Sequence, residues 1–477
     1  MLSACASILL LAVTTHLTQD IAAIPFLWIL PLSVYLLSFI ICFEAPRFYR
    51  RAVFLPLVGL SLLFMAYELW PQRQSLSPPE FLLPALLYFQ NLGMRPSIAL
   101  FAVALFLCCM VCHGELVRTR PHPRYLTGFY VAVSLGGVCG GLFVGLLAPS
   151  IFRSYDEFPI GLALCALLVF RVLYPDAWRL PRLWNVAATV GLAALAVSYV
   201  WWLTAVMREM TYGYVVAERN FYGQLKVREE GNSNLDDFSC LQLIHGTINH
   251  GEQFTREPRR HEPVTYFCPG SGIGRAMQAL QGQPRRIGML GLGCGTLAAY
   301  GRAGDTLRIY EINPSVVEIA NREFTYLKGT PAKVEIVMGD GRLSLESEPN
   351  QQFDIMVMDA FSGDSVPVHL ITREAFGIYF RHLKPDGILA VNTTNNYLDL
   401  EPVMQSAAAA MNKVAYSYLY ETDPDDQVCF TSSWALIMDR RTWDARPILH
   451  DNAKLLRPTP RFRIWTDDFS NMLSILR

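Results

Sequence analysis

Hydrophobic and polar positions divide the chain into two parts with different patterns. Up to about residue 206, long apolar runs are separated by short polar breaks, and acidic residues are rare. A membrane-spanning helix needs about 20 apolar residues. The runs therefore predict a multi-pass helical membrane domain over residues 1–206, with spans near 2–18, 22–42, 52–69, 96–113, 126–148, 157–174 and 184–205. The apolar run at 81–92 is too short to span and predicts an interfacial segment.

The pattern changes at about residue 207. Short strand-like segments predict a small β-rich lead-in over residues 207–270. From 271 to 477, strand-like and helix-like runs alternate, which predicts a mostly parallel, doubly wound α/β sheet. Its strands are expected near 286–291, 307–311, 333–338, 353–359 and 386–392, followed by late strands at 414–420, 427–433 and 434–439. Its helices are expected near 296–302, 314–324, 372–382 and 401–412.

Composition and charge agree with this division. The chain is 52% hydrophobic and 17% charged, whereas a soluble globular chain carries about 25% charged residues. The net charge of −1 and the lack of a basic stripe predict no nucleic-acid partner. The low charge density of the first half instead predicts a lipid bilayer as its surroundings.

The 11 cysteines predict neither a metal site nor a disulfide. Cys109 and Cys112 have C-x-x-C spacing, but they lie inside an apolar helix, where small packing residues are expected rather than redox or zinc ligands. The cysteines of the second half are isolated from one another along the chain, which predicts a reduced compartment. They are Cys240, Cys268, Cys294 and Cys429.

Charged residues of the first half bear on transport and on topology. His16, Asp20, His113 and Glu115 are expected at helix ends near the interface, so no transport pathway is indicated. Three loops rich in arginine fall on one side of the predicted spans, which should be cytoplasmic. The same count places the end of the last span on the opposite side. The cytosolic ligand inferred below favours a cytoplasmic second half, so the two arguments conflict.

Glycines and acidic residues follow successive predicted strands of the second half. Gly291, Gly293 and Gly295 come after the first strand, where glycine lets the backbone approach a ligand and turn into a helix. Glu311 ends the second strand, where a carboxylate can accept both hydroxyls of a ribose. Asp340 follows the third strand, where an acid can hold an adenine amino group or cap a helix.

Two further acids, Asp359 and Asp364, follow the fourth strand. Ligands of such sheets bind beyond the carboxyl ends of the strands. Four successive strand ends that carry glycines or acids therefore predict one nucleoside pocket.

This order of motifs resembles class I S-adenosylmethionine-type (Rossmann-like) domains, and more narrowly the spermidine synthase family of aminopropyltransferases. The resemblance covers roughly residues 215–440 and includes "RNFYGQLKV" in the lead-in. With the apolar half in front, the chain is similar to bacterial membrane proteins described as fused spermidine synthases. The segments "TTHLTQDIAAIPFLWILPLSVYLLSF" and "WTDDFSNML" also resemble that group.

The resemblance implies a co-substrate, a catalytic base and binding residues. The co-substrate would be decarboxylated S-adenosylmethionine, with Glu311 on its ribose and Asp340 near its adenine. Asp359 matches the first aspartate of the family's D-S-S-D-P signature, the base that deprotonates an attacking amine. Asp364 corresponds to the second aspartate across a longer loop, and Tyr266 matches the tyrosine of the D-E-x-x-Y-H-E segment. No metal is implied.

The amine half of the family's site is less well matched. Phe267 and Cys268 stand where histidine and glutamate are expected, and His245 replaces the acid of the L-D-G motif. Gln224 lies one place after the position of the family's glutamine. A buried diammonium substrate needs carboxylate partners. His245 and His250 therefore either shape an altered acceptor site or serve a structural role.

Asp467 and Asp468, near the C-terminus, allow two interpretations. They could place acids over the pocket, or they could cap a helix formed by the residues that follow. The cap is the favoured interpretation.

The leading hypothesis is a membrane-tethered aminopropyltransferase that acts on a small amine and lies in a bacterial inner membrane, with its catalytic domain in the cytoplasm. Two alternatives remain: a methyltransferase that uses S-adenosylmethionine, and a non-catalytic nucleoside or polyamine sensor coupled to the membrane domain. Assembly into a homo-oligomer is left open.

Overall fold

The chain forms two compact units, described here from a computed structural model. The first unit comprises residues 1–213 and 217–224, and the second comprises residues 214–216 and 225–477. The structure describes residues 1–21, 27–70, 94–177, 182–231, 239–246, 248–280, 282–360, 367–395, 397–422 and 428–477.

All regular secondary structure in the described residues up to 213 is helical. Its α-helices are α1 (Leu2–His16), α2 (Ile29–Glu44), α3 (Arg51–Glu68), α4 (Met94–Arg118), α5 (Leu126–Leu142), α6 (Ala148–Ile151), α7 (Glu157–Ala177) and α8 (Arg182–Glu209). Single π-helical turns extend α1 over Leu17–Ile21 and follow α5 over Phe143–Leu147.

Among the described residues, five helical segments are long and apolar enough to cross a membrane. They are Leu2–Ile21, Arg51–Glu68, Met94–Arg118, Pro123–Ile151 and Asn185–Glu209. Helix α2 is apolar but shorter, and the run near 157–174 forms α7. The predicted interfacial segment at 81–92 lies outside the described residues.

Two polar residues near the end of α4, His113 and Glu115, are buried inside the first unit. The Glu115 carboxylate accepts hydrogen bonds from the Tyr49 hydroxyl at 2.7 Å and from Arg51 at 2.8 and 2.6 Å. His113 Nδ1 lies 3.0 Å from the Ser38 hydroxyl. Their partners lie more than 60 residues away along the chain, so the local pattern did not reveal these contacts, and a position near the membrane interface remains a prediction. A buried charge is retained when it is paired in this way.

The second unit begins with a small four-stranded sheet in the order β1-β2-β3-β4. Its strands are β1 (Tyr214–Asn220), β2 (Gly223–Glu230), β3 (Cys240–His245) and β4 (Ile248–Phe254). The neighbours β2–β3 and β3–β4 are antiparallel. Residues 217–224, which include the turn between β1 and β2, group with the first unit.

The larger sheet has eight strands in the order β12-β10-β11-β9-β8-β5-β6-β7. Its parallel part contains β5 (Arg286–Leu290), β6 (Thr306–Glu311), β7 (Lys333–Met338), β8 (Phe353–Met358) and β9 (Leu383–Asn392). The antiparallel part adds β10 (Val414–Tyr420), β11 (Ser432–Met438) and β12 (Ala453–Leu455). The helices are α9 (Gly272–Ala279), α10 (Pro314–Arg322), α11 (Tyr326–Gly329), α12 (Gly341–Ser347), α13 (Arg373–His382), α14 (Glu401–Ala410) and α15 (Arg440–Asp444).

Both faces of the parallel part are covered by apolar residues. Ile287 and Met289 of β5 belong to one core cluster, and Leu290 of the same strand belongs to a second cluster. Successive side chains of a strand point to opposite faces, so a strand buried on both sides reads as a continuous apolar run. This is why the five parallel strands were predicted to within a few residues.

One late strand was predicted wrongly. Residues 427–433 and 434–439 were expected to form two strands, but the described residues of this segment form the single strand β11. Val428 and Phe430 instead hydrogen-bond to the backbone of Thr265, at 2.9 and 3.1 Å. Contact with a segment 160 residues away thus replaces a local strand.

A disulfide joins the same two segments, contrary to the prediction of isolated cysteines. Cys268 is bonded to Cys429 across a sequence separation of 161 residues. The prediction failed because spacing along the chain carries no information about a pairing that the sheet creates.

Candidate active site

A glycine loop at the carboxyl end of β5 forms the floor of the candidate site. Gly291, Gly293 and Gly295 have φ angles of +85°, +56° and +91°, a region that L-residues with a side chain seldom adopt. A Cβ atom on Gly291 would also clash with the backbone carbonyl of Asp359. The absence of a side chain at Gly291 therefore lets the loop pack directly against the end of β8.

Glu311 fastens this loop to the end of β6. Its Oε2 accepts the backbone N–H of Leu292 at 2.9 Å, and its Oε1 accepts that of Asn313 at 2.8 Å. Burial raises the pKa of Glu311, while these backbone donors oppose the rise. A carboxylate has about four lone-pair sites, so each oxygen can still accept a hydrogen bond from a ligand hydroxyl.

Asp359 lies at the end of β8, next to the glycine loop. Its Oδ1 accepts a hydrogen bond from the side-chain amide of Asn392, at the end of β9, at 2.8 Å. Burial raises the pKa of Asp359 to about 6, and the Asn392 amide counteracts part of that rise. A partly accessible carboxyl group with such a pKa can exchange protons with an amine near neutral pH.

Tyr266 lies in the segment that precedes α9 and is close enough to Asp359 to be affected by its charge. Burial, followed by the negative charge of Asp359, raises the pKa of the Tyr266 phenol, which is therefore a hydrogen-bond donor at neutral pH. The indole N–H of Trp434 donates to the Tyr266 carbonyl at 3.1 Å. This hydrogen bond and the disulfide at Cys268 together anchor the backbone around Tyr266 to the residues near β11.

Asp340 caps helix α12 and contacts a histidine. Its Oδ1 accepts the backbone N–H of Leu343 at 2.9 Å, and its Oδ2 lies 2.9 Å from His369 Nε2. Burial alone would raise the pKa of Asp340, but Leu343 and His369 outweigh it and hold the pKa below its ordinary value. The cap that sequence reasoning weighed against an adenine contact is therefore present, and Asp340 remains ionised.

Asp467 forms an ion pair and does not cap a helix, contrary to the favoured interpretation. Its carboxylate accepts two hydrogen bonds from Arg342, at 2.7 and 2.6 Å, and one from the Thr372 hydroxyl at 2.8 Å. The Arg342 guanidinium lowers the pKa of Asp467 to about 2. Asp467 was misjudged because its arginine partner lies 125 residues earlier in the chain.

Two histidines of the small sheet lie against the glycine loop. The rings of His245 and His250 are 5.6 Å apart. A Cβ on Gly293 would meet the His250 carbonyl oxygen at 2.8 Å, so only glycine lets the loop pass this close to β4. Burial and the nearby His245 lower the pKa of His250 to about 3, and the ring is neutral. Among the described residues, His250 Nε2 has no hydrogen-bond partner.

Two predicted site residues are not placed here. Gln224 belongs to the first unit, where its side-chain amide donates to the Arg153 carbonyl at 2.8 Å. Asp364 lies outside the described residues.

Sequence reasoning missed Asn392 and His369. Asn392 ends a predicted strand, as Glu311 does, so its position at the carboxyl edge of the sheet was a usable signal. His369 carried no comparable signal, because it lies in a short 3₁₀ turn rather than at a strand end.

Similarity to characterised proteins covers about a third of the chain. A polyamine aminopropyltransferase from Vibrio vulnificus (strain CMCP6) is 30% identical over 163 residues, covering 33% of this chain and 53% of that protein. Its counterpart from Stenotrophomonas maltophilia (strain K279a) is 24% identical over 167 residues, covering 34% and 58%. An N-terminal histidine N-methyltransferase from Emericella nidulans is 30% identical over 172 residues, covering 33% and 30%. The chain spans about half the length of the aminopropyltransferases it matches.

Solved structures that are similar to part of the chain include a probable spermidine synthase from Corynebacterium glutamicum, with a TM-score of 0.37 and 17% identity. It matches over 52% of this chain and 94% of its own. A spermidine synthase from Thermotoga maritima has a TM-score of 0.35 and 16% identity, over 52% and 82%. No protein-family model matches the chain.

The parallel sheet, with a glycine loop and acids at its carboxyl edge, is an α/β Rossmann-like class I domain. The relatives named polyamine aminopropyltransferase support a spermidine synthase-like family of transferases for this part of the chain.

Proposed function

We propose that the second unit transfers the aminopropyl group of decarboxylated S-adenosylmethionine to an amine, and that the first unit holds it at a bacterial membrane. The observation that carries the proposal is the Asp359 carboxyl group, whose pKa is about 6, beside the glycine loop and Tyr266. The similarity to polyamine aminopropyltransferases supports the same reaction.

The residues of the site fit an adenosyl group. Glu311 retains free lone pairs beside a loop whose glycines have no Cβ to obstruct a ligand. We propose that Glu311 binds the ribose hydroxyls and that Asp340 and the glycine loop lie along the remainder of the nucleoside. When bound, the co-substrate supplies an electrophilic carbon next to a sulfonium.

Asp359 would supply the base. An amine is protonated in water and has no lone pair for attack, so Asp359 takes one proton from the acceptor ammonium. The nitrogen then forms a bond to the carbon beside the sulfonium, the carbon–sulfur bond breaks, and its electron pair neutralises the sulfur. Methylthioadenosine leaves, and the product is the alkylated ammonium. The Tyr266 hydroxyl, protonated at neutral pH, can orient the acceptor nitrogen beside Asp359.

The acceptor pocket favours an amine with few positive charges. His245 stands where the family has an acid, and the neutral ring of His250 can accept a hydrogen bond but supplies no negative charge. Cys268, at the position of another family acid, is held in the disulfide. A second ammonium would therefore be poorly compensated there.

The experiment uses the full chain, purified in detergent. It is incubated with decarboxylated S-adenosylmethionine and a panel of monoamines, diamines and polyamines, and methylthioadenosine is measured by mass spectrometry. We expect amine-dependent product from the wild type and from the surface control Asp386→Asn, but not from Asp359→Asn. Asp386 is a suitable control because its side chain is 69% exposed.

Methyl transfer is the second candidate, favoured by the similarity to an N-methyltransferase. A parallel incubation with S-adenosylmethionine and the same amines distinguishes the two reactions. Formation of S-adenosylhomocysteine without methylthioadenosine would replace the aminopropyl proposal. Nucleoside binding with neither product would point to a sensor.

A further inference from the structure

Three cysteines from three different helices converge inside the first unit. Cys5 of α1, Cys112 of α4 and Cys165 of α7 have sulfur atoms that all lie within 4.8 Å of one another. Their side chains are 0%, 1% and 1% exposed. Such convergence is not expected of cysteines that serve as small packing residues, because a packing role does not require sulfur atoms to meet.

A fourth thiol adjoins this group. Cys108 lies one turn before Cys112 on α4 and is fully buried. Residues four apart share one face of a helix. The relevant pair on α4 is therefore Cys108 and Cys112, not the C-x-x-C pair that the sequence suggested. The four residues Cys5, Cys108, Cys112 and Cys165 are called the thiol cluster below.

Close packing of α1 against α7 holds the cluster together. The Cys5 thiol points to the Gly161 carbonyl oxygen on α7, with the sulfur 4.0 Å away. A Cβ on Gly161 would come within 2.9 Å of Ile8 and 3.1 Å of Leu9. A larger residue at position 161 would force Ile8 and Leu9 to shift, so glycine favours the close packing of the two helices that carry Cys5 and Cys165.

The donor set suits a soft metal ion. Zinc binds thiolates at about 2.3 Å in a tetrahedral arrangement, which places ligand sulfurs about 3.8 Å apart. The sulfur atoms of Cys5, Cys112 and Cys165, which all lie within 4.8 Å of one another, approach that spacing. Thiolates also select Cu⁺, whereas harder ions such as Mg²⁺ and Ca²⁺ prefer oxygen ligands.

Charge compensation gives the ion a further role. Each thiol that binds releases a proton, so three thiolates with Zn²⁺ leave a net charge of −1, and the ion offsets most of the negative charge of its buried ligands. One ion would thereby cross-link α1, α4 and α7, which are distant in sequence.

We propose that the thiol cluster binds one thiophilic metal ion, Zn²⁺ or Cu⁺, which staples the three helices of the first unit. This site is separate from the proposed transfer reaction and involves none of its residues. Its test is therefore independent of whether aminopropyl transfer occurs.

The test loads the full-length protein in detergent, under reducing conditions, with Zn²⁺ alone or with Cu⁺ alone. Unbound metal is removed by gel filtration, and the metal content is measured by mass spectrometry. We expect about one equivalent of one of the two ions to be retained. The double variant C5S/C165S should retain less than a tenth of that amount, because a soft ion loses two of its thiolate ligands.

Cys42→Ser is the matched control, because Cys42 is a buried cysteine of α2 outside the cluster. It should retain metal like the wild type. The proposal is overturned if the wild type retains neither ion, or if C5S/C165S retains as much as the wild type.

A measurement on the wild type alone tests the proposal even if the double variant does not fold. X-ray absorption spectroscopy of the loaded protein should show a coordination shell with at least three sulfur atoms at about 2.3 Å. A shell made only of nitrogen or oxygen would place the ion elsewhere and refute the assignment.

Discussion

The side-chain amide of Asn392 donates a hydrogen bond of 2.8 Å to the carboxylate of Asp359, across the ends of two neighbouring parallel strands. This contact stabilises the ionised carboxylate, while burial favours its protonated form. The balance leaves the pKa of Asp359 at about 6, so that the group is ionised at neutral pH and remains basic enough to accept a proton.

Removing this hydrogen bond should move the pH profile of the reaction. In Asn392→Ala, the ionised form of Asp359 loses a hydrogen-bond donor. The pH of the lower inflection in the kcat/KM profile should therefore rise by about 1. The loss of activity should be larger at pH 6 than at pH 8. A profile that drops equally at every pH would mean that Asn392 does not act through Asp359. Asn321→Ala, which removes an amide that donates within a helix, serves as the control.

Substitution of Asp359 itself should separate activity from stability. Asp359→Asn removes the proposed base, so turnover should fall by about a hundredfold or more. The folded-state pKa of Asp359 lies above its unfolded value, so its contribution to stability is complete below about pH 4 and is lost as the pH rises through about 6. The variant should therefore become more stable than the wild type as the pH rises, by at most about 3 kcal/mol.

Thermal or denaturant unfolding of both proteins between pH 4 and pH 8 measures this difference. A stability difference that does not change with pH would show that Asp359 has an ordinary pKa.

Gly291 should tolerate no side chain. In Gly291→Ala, the φ of +85° costs about 1–2 kcal/mol, and the new methyl group collides with the Asp359 carbonyl. We expect a lower unfolding temperature and a loss of nucleoside binding, measured by calorimetry. Gly377→Ala is the matched control, because a Cβ there meets no atom within 4 Å and alanine favours its helix. Equal behaviour of the two variants would refute the close approach of the loop.

The disulfide should stabilise the segment that carries Tyr266. Cys268 and Cys429 close a loop of about 160 residues, and loss of such a cross-link costs on the order of 2–5 kcal/mol. The variant C268S/C429S should unfold at a lower temperature than the wild type. Reductant should lower the unfolding temperature of the wild type but leave that of the variant unchanged. Cys240→Ser, at a free buried thiol, controls for the loss of a cysteine alone.

The same disulfide also bears on which side of the membrane the second unit occupies. Disulfides persist mainly in oxidising compartments, and the arginine-rich loops also place the end of the last predicted span away from the cytoplasm. We therefore expect peptides containing Cys268 and Cys429 to be linked in protein isolated from cells without reductant. Labelling with a membrane-impermeant reagent at an added cysteine in the second unit should succeed on intact spheroplasts. Free thiols together with protection from labelling would restore the cytoplasmic placement.

The sequence by itself determined the local elements and the edge of the sheet where the site lies. The strands from β5 to β9 are continuous apolar runs, because both of their faces are buried, and the glycines and Glu311 follow them at positions that parallel topology brings together. The long apolar helices of the first unit were likewise visible from the apolar runs alone.

Only the tertiary structure decided which side chains pair across long separations. The disulfide of Cys268 with Cys429, the ion pair of Arg342 with Asp467, and the convergence of Cys5 with Cys165 each join residues more than 120 positions apart. Periodicity and spacing describe neighbours within one element. Pairings of this kind depend on how strands order within a sheet and how closely helices pack, which no local pattern encodes.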